Sequence, residues 1–164
     1  MSATLSFKRS ELLYDIKNYA YVESHIMPDD TEHAKHMTAD VGDDGNIDRI
    51  TRVLDLGVAA CTEMLYPLAK SEVTTDSMDD VLTETDTYTI TLSLPDTFSQ
   101  STLTLLERLI HEFLVCRGVA DWLSITNTQK AEVWAAKANE AETAIRSAVN
   151  TRSGRSRIRQ HWLG

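Results

Sequence analysis

The stretch Tyr88-Thr-Ile-Thr-Leu-Ser-Leu-Pro95 alternates Tyr88, Ile90, Leu92 and Leu94 with Thr89, Thr91 and Ser93, so its apolar side chains fall on one side of an extended backbone. It is the clearest period-two segment in a chain whose other apolar residues recur at helical spacing. The constraint is severe, because a lone strand leaves its amide and carbonyl groups without partners. Two completions are open. The weakly strand-like segments Val73–Thr75 or Val81–Thr85 make a small hairpin with it, or a neighbouring subunit supplies the second strand.

The rest reads as helix. A first helix starts at Ser10, whose hydroxyl suits a cap, carries Leu12, Leu13, Ile16, Tyr19, Ala20 and Glu23 as a stripe, and stops at Pro28. Residues 28–46 are acidic and aperiodic and are expected to form a long loop. A second helix spans about Ile47 to Lys70, with Ile47, Ile50, Val53, Leu54, Val58, Cys61, Met64, Leu65 and Leu68 three and four apart and Pro67 ending or kinking it. An acidic connection, 71–86, precedes the strand. The third helix, from Ser99 or Ser101 to about Ile125, is the most apolar, with Leu103, Leu106, Leu109, Ile110, Phe113, Leu114, Cys116, Val119, Ala120 and Leu123. It is the expected centre of the core. The fourth, from Asn127 or Thr128 to Asn150, is alanine-rich, which favours helix and lets another helix come close. The expected fold is mainly α: a bundle of about four helices, a minor β strand or hairpin near 73–94 within a domain of residues 1–150, and an extended C-terminal arm of residues 151–164.

Charge divides the chain at the same place. The 164 residues have a net charge of −9, but residues 1–145 hold 25 acids against 11 Lys and Arg, a balance of −14, whereas 146–164 holds five arginines and no acid. An acidic body repels nucleic acid and anionic membrane, and the basic end can bind either, or an acidic protein. With 42% hydrophobic and 25% charged residues the chain is ordinary for a globular domain of this length. No apolar run reaches the roughly 20 residues that cross a bilayer. With no leader pattern, the expectation is a soluble chain made in the cytoplasm with no membrane partner. Cys61 and Cys116 sit among apolar residues and read as buried free thiols.

Motifs for chemistry are near misses. Asp40-Val-Gly-Asp-Asp-Gly-Asn-Ile-Asp48 places Asp44, Gly45, Ile47 and Asp48 where an EF-hand loop wants them, but Gly42 and Thr51 occupy positions three and twelve, and the acid at twelve closes the calcium shell. A Gly-Asp turn into the second helix is the reading adopted. His25, His33 and His36 match no zinc spacing. His111-Glu-Phe-Leu-Val115 begins like a zinc-protease helix but lacks its second histidine. No Gly-x-Ser-x-Gly elbow or phosphate loop occurs. The expectation is a non-enzyme with no cofactor and no metal.

The arm, Arg152-Ser-Gly-Arg-Ser-Arg-Ile-Arg-Gln-His-Trp-Leu-Gly164, is different in kind. Arg152, Arg155, Arg157 and Arg159 supply charge, while Ile158 and Trp162 lie four apart, on one side of a helical turn. A purely electrostatic nucleic-acid arm needs no tryptophan, and tryptophan with arginine is the pair that dominates protein–protein contacts. These six residues are therefore the expected partner-binding residues.

The segment from Tyr88 to Arg159, with Ile110-His111 and Trp122 on a leucine-rich helix, an alanine-rich helix and the run Arg152 to Arg159, resembles short helical virion assembly proteins of phages that infect Bacteroides-like bacteria. It is also similar in arrangement to head–tail connector (adaptor) proteins. The resemblance covers less than half of the chain. It implies a structural subunit of the virion, assembled in the host cytoplasm: a homo-oligomeric ring that joins the portal to a neighbouring neck or tail protein. DNA would pass through without specific binding. The alternative reading is a nucleic-acid-associated regulator that uses the basic arm.

Overall fold

A computed structural model describes residues 2–27, 32–69, 85–96 and 98–152. The chain is mainly α-helical with a small antiparallel sheet. In order it runs β1 (Ser2–Lys8), α1 (Arg9–Ile26), α2 (Glu32–Ala39), a 3₁₀ turn (Asp40–Gly42), α3 (Asp44–Met64), β2 (Thr87–Ser93), α4 (Gln100–Thr126) and α5 (Thr128–Arg152).

The strand's partner comes from neither expected source. β2 pairs with β1, from Ser2↔Ser93 to Lys8↔Thr87. β1 obeys the same rule as β2, with Leu5 and Phe7 buried and Ser2, Thr4, Ser6 and Lys8 away from the core. Its alternation is short and runs directly into a helix, since Lys8 ends the strand and Arg9 opens α1. So short an alternation leaves little period-two signal in the sequence. Residues 73–75 and 81–84 lie outside the described residues. The Arg9 amide donates to the Asp86 carbonyl at 3.0 Å, and the Ser93 amide donates to the Leu68 carbonyl at 2.6 Å on the other edge of β2. Together β1 and β2 put Leu5, Phe7, Tyr88, Ile90 and Leu92 against the helices.

The expected loop over 28–46 is also corrected. From Glu32 onward it forms α2, the 3₁₀ turn and the start of α3, which begins at Asp44 rather than Ile47. Little apolar periodicity marks α2, because tertiary contact holds it. The Trp122 indole donates to the Thr38 carbonyl at 2.9 Å, Thr38 is wholly buried, and Val41 plugs the core behind it. α3 ends at Met64, short of Pro67, and a turn still carries Leu65 and Leu68 into the interior.

α4 is the centre, as its composition implies. Leu106, Ile110, Phe113, Leu114, Val115, Cys116, Val119, Trp122 and Leu123 are all buried on it, spread around most of its circumference. α1 covers one side through Leu12, Ile16 and Ala20, and α3 another through Ile50, Leu54 and Cys61. α5 folds back on α4 in the most extensive helix pairing of the molecule. Only Asn127 separates the two helices, and its Oδ1 accepts a hydrogen bond from the Lys130 amide at 3.2 Å, capping α5. Ala131, Trp134, Ala138, Ala141, Ile145 and Val149 form the seam of α5 at three- and four-residue spacing.

Two glycines let helices approach α4 closely. A Cβ at Gly118 would lie 2.5 Å from Ile16 Cδ1, and one at Gly57 would lie 2.7 Å from Leu114 Cδ2. Neither position has room for a side chain without movement of a packed neighbour. Gly118→Val is expected to destabilise the fold by about 1–3 kcal/mol, read as a lower urea midpoint with the slope unchanged.

Candidate docking surfaces

Of the residues expected to bind a partner, Arg152 closes α5, while Arg155, Arg157, Ile158, Arg159 and Trp162 lie outside the described residues. The other sequence candidates fall into structural roles. His25 Nδ1 lies 3.0 Å from the Tyr21 carbonyl, and its ring lies 4.1 Å from the Tyr21 ring. His33 and His36 sit on α2. His111 leaves the zinc-like segment to meet Asp15 of α1, Nε2 to Oδ2, at 2.7 Å. In the EF-hand-like stretch the Asp40 carbonyl accepts the Asp43 amide and the Asn46 side chain, and the Asp43 carbonyl accepts the Asn46 amide. These carbonyls build the entry to α3, as a Gly-Asp turn does. Among the described residues, no three His, Cys, Asp or Glu side chains converge as metal ligands would.

Polar side chains tie the helices together instead. The Tyr88 hydroxyl donates to Asp55 Oδ1 at 2.8 Å, joining the sheet to α3, and Arg49 Nε donates to Asp121 Oδ2 at 2.8 Å, joining α3 to α4. Burial pushes the Tyr88 phenol far above its ordinary range, and the Asp55 carboxylate that accepts its proton adds to the effect. Between α1 and α5, Glu23 accepts the Trp134 indole N–H at 3.0 Å through Oε1, and Oε2 lies 3.2 Å from Lys130 Nζ. Tyr19 packs against the same indole at 4.9 Å, and the Lys137 ammonium lies 4.0 Å from its ring centre.

With these contacts made, two apolar features stand out on the surface of the described residues. The first is a groove of about 450 Å³ between α3, α4 and α5, with Val53 and Leu56 on one wall, Ala120, Ala131 and Ala135 on the others, and Arg117, Asp121 and Glu132 at its polar margins. Leu56 is exposed there. The second is the outer side of α1, where Tyr14 is 69% exposed, Tyr21 55%, Val22 47% and Ile26 64%. Four large hydrophobic side chains on one helix are thus left in water. The stripe expected for α1, Leu12 to Glu23, is the inward one and does not include these residues. The signal was available: α1 is apolar on both sides, and a helix that covers a core on one side only has no need of that.

No protein-family model matches the chain, and no curated protein and no solved structure shows a significant match to it.

Both cysteines are buried and unbridged. Burial raises the Cys61 thiol to about 12, and burial with the Glu112 carboxylate beside it raises Cys116 to about 12. Above pH 9 the thiols of the unfolded chain ionise while the folded ones keep their protons, so their contribution to stability falls as pH rises from about 9 to about 12. Ellman's reagent at pH 8 is expected to leave both thiols unmodified in the native protein and to titrate both in denaturant.

Proposed function

We propose that the chain is a structural subunit of a phage particle, a head–tail connector that forms a ring and joins the portal to a neck or tail component. The observation that carries the reading is the division of charge. A helical body with a balance of −14 is followed by an end with five arginines, a tryptophan and no acid. DNA adheres to surfaces through its phosphates, so an acidic wall lets it slide past, and a basic wall would hold it. The arm suits the opposite task. Arginine and tryptophan bind a different polypeptide through charge-assisted hydrogen bonds and a large apolar ring.

Ring assembly needs two different surfaces on each subunit that fit one another until the rotation closes. The outer side of α1 and the long exposed side of α5 are available for it. The body itself is rigidly built, with α4 enclosed by three helices and the sheet. Geometry of this kind suits a component that positions others and does not transform a substrate.

Truncation after Asn150 tests the reading. The shortened body is expected to fold with unchanged helix content and still to self-associate, while its incorporation into particles is lost. Unchanged incorporation overturns the proposal. If the full chain instead retards duplex DNA with an affinity that falls steeply with salt and disappears when Arg155, Arg157 and Arg159 become alanine, the arm belongs to a nucleic-acid regulator.

A further inference from the structure

The two edges of the sheet differ. The Ser93 amide turns away from β1 to the Leu68 carbonyl, so the outer edge of β2 is partly closed. The Arg9 amide turns the other way, to the Asp86 carbonyl across the ladder. In an antiparallel pair, residues that bond across the ladder alternate with residues that point outward. Both bonds fit one register: Ala3, Leu5 and Phe7 carry the ladder, and Ser2, Thr4 and Ser6 turn their amides and carbonyls away from β2. Those three residues are also exposed. Among the described residues, nothing is hydrogen-bonded to this outward edge of β1.

An open edge is a template for another strand, and folded chains blunt it with a proline, a bulge, a charge midway or a covering element. β1 shows none of these among the described residues. It pairs with β2 residue for residue from Ser2 to Lys8, and residues 3–7 hold neither proline nor charge. Besides β2, only α1, which continues from its end, and α4 make more than marginal contact with it.

The strand is also complementary to itself. Laid antiparallel with Leu5 on a two-fold axis, Thr4 faces Ser6 of the second copy and Ser6 faces its Thr4. The outward amides and carbonyls of both copies then satisfy one another. Half-buried Ala3 comes opposite the larger Phe7, and Leu5 meets Leu5, which continues the apolar side of the sheet. Lys8, the one charge, falls opposite Ser2, and the two lysines stand about 20 Å apart. Parallel pairing in register sets lysine beside lysine, and an antiparallel pairing centred elsewhere shortens the overlap.

We propose that β1 pairs antiparallel with β1 of a second copy, making one four-stranded sheet across two chains. The contact is isologous and leaves other faces for a ring, so it goes beyond the ring reading and does not rest on it.

The test uses full-length chains and measures mass by light scattering and native mass spectrometry. Wild type is expected to hold an even number of chains. Thr4→Pro removes an amide that points outward and spares the ladder to β2, so it is expected to keep wild-type circular dichroism and halve the mass. Thr4→Lys/Ser6→Lys and Thr4→Glu/Ser6→Glu each set like charges across the pairing and are expected to halve the mass as well. Their one-to-one mixture sets lysine opposite glutamate and is expected to restore the wild-type mass. That recovery also proves both variants folded, which keeps the test decisive if Thr4→Pro does not fold. A wild type that is monomeric at every concentration, or odd in number, overturns the pairing. So do charged variants of wild-type mass, or a mixture that stays at half of it. Truncation after Asn150 is expected to leave the number of chains unchanged. If it halves that number, the edge belongs to residues 151–164 and the pairing is overturned. A ring held by other faces survives every one of these failures except the monomeric wild type.

Discussion

α4 is apolar around most of its circumference, and a helix of that kind has no face to offer to water. Everything else in the fold follows from covering it. α1, α3 and α5 each bring one stripe, and the sheet brings its apolar side. Gly57 and Gly118 set how closely α3 and α1 can come, because at both points a neighbouring side chain occupies the space a Cβ would need. The centre is dry and close-packed, and the polar contacts are pushed to the seams between helices, where Tyr88–Asp55, Arg49–Asp121, His111–Asp15 and Trp134–Glu23 each join two elements. Hydrophobic burial holds the elements together without direction, whereas these bonds fix which helix faces which.

The same packing decides what stays on the outside. Each covering helix was required to give up only one stripe to α4, yet α1 carries apolar residues on the opposite side too. Asp15 and Glu23 reach His111 of α4 and Trp134 and Lys130 of α5, Glu11 stays exposed beside Lys8, and Tyr14 and Tyr21 are left in water. A surface of this composition is costly for a protein that works alone and useful for one that works among copies or partners. The sorting of charge along the chain is what supports the proposed reading, of a component made for assembly.

Much of this was legible from residues alone. α4 and α5 were visible from the density of their apolar and alanine positions, and the limits expected for them match the observed helices within a residue or two. β2 was visible from its strict alternation. What escaped was structure held by distant contacts. α2 owes its place to the Trp122 indole and the burial of Thr38, and neither leaves a periodic trace in Glu32–Ala39. β1 has only Ala3, Leu5 and Phe7 to announce it, and its partner lies some eighty residues away. The outer face of α1 was in plain sight as residue types, but which of two apolar stripes faces the core is settled by the neighbours and not by the helix.

Pairing of the first strand with the third-last described element orders events during synthesis. During synthesis β1 precedes its partner by some eighty residues, and α4, the surface both strands rest on, comes later still. For that interval Leu5 and Phe7 have nowhere to go, and closure of the sheet must wait for a loop of about eighty residues, a delay set by chain entropy rather than by any local preference. β1 can therefore close on β2 only after α1, α2 and α3, which lie between them in the chain, have been made.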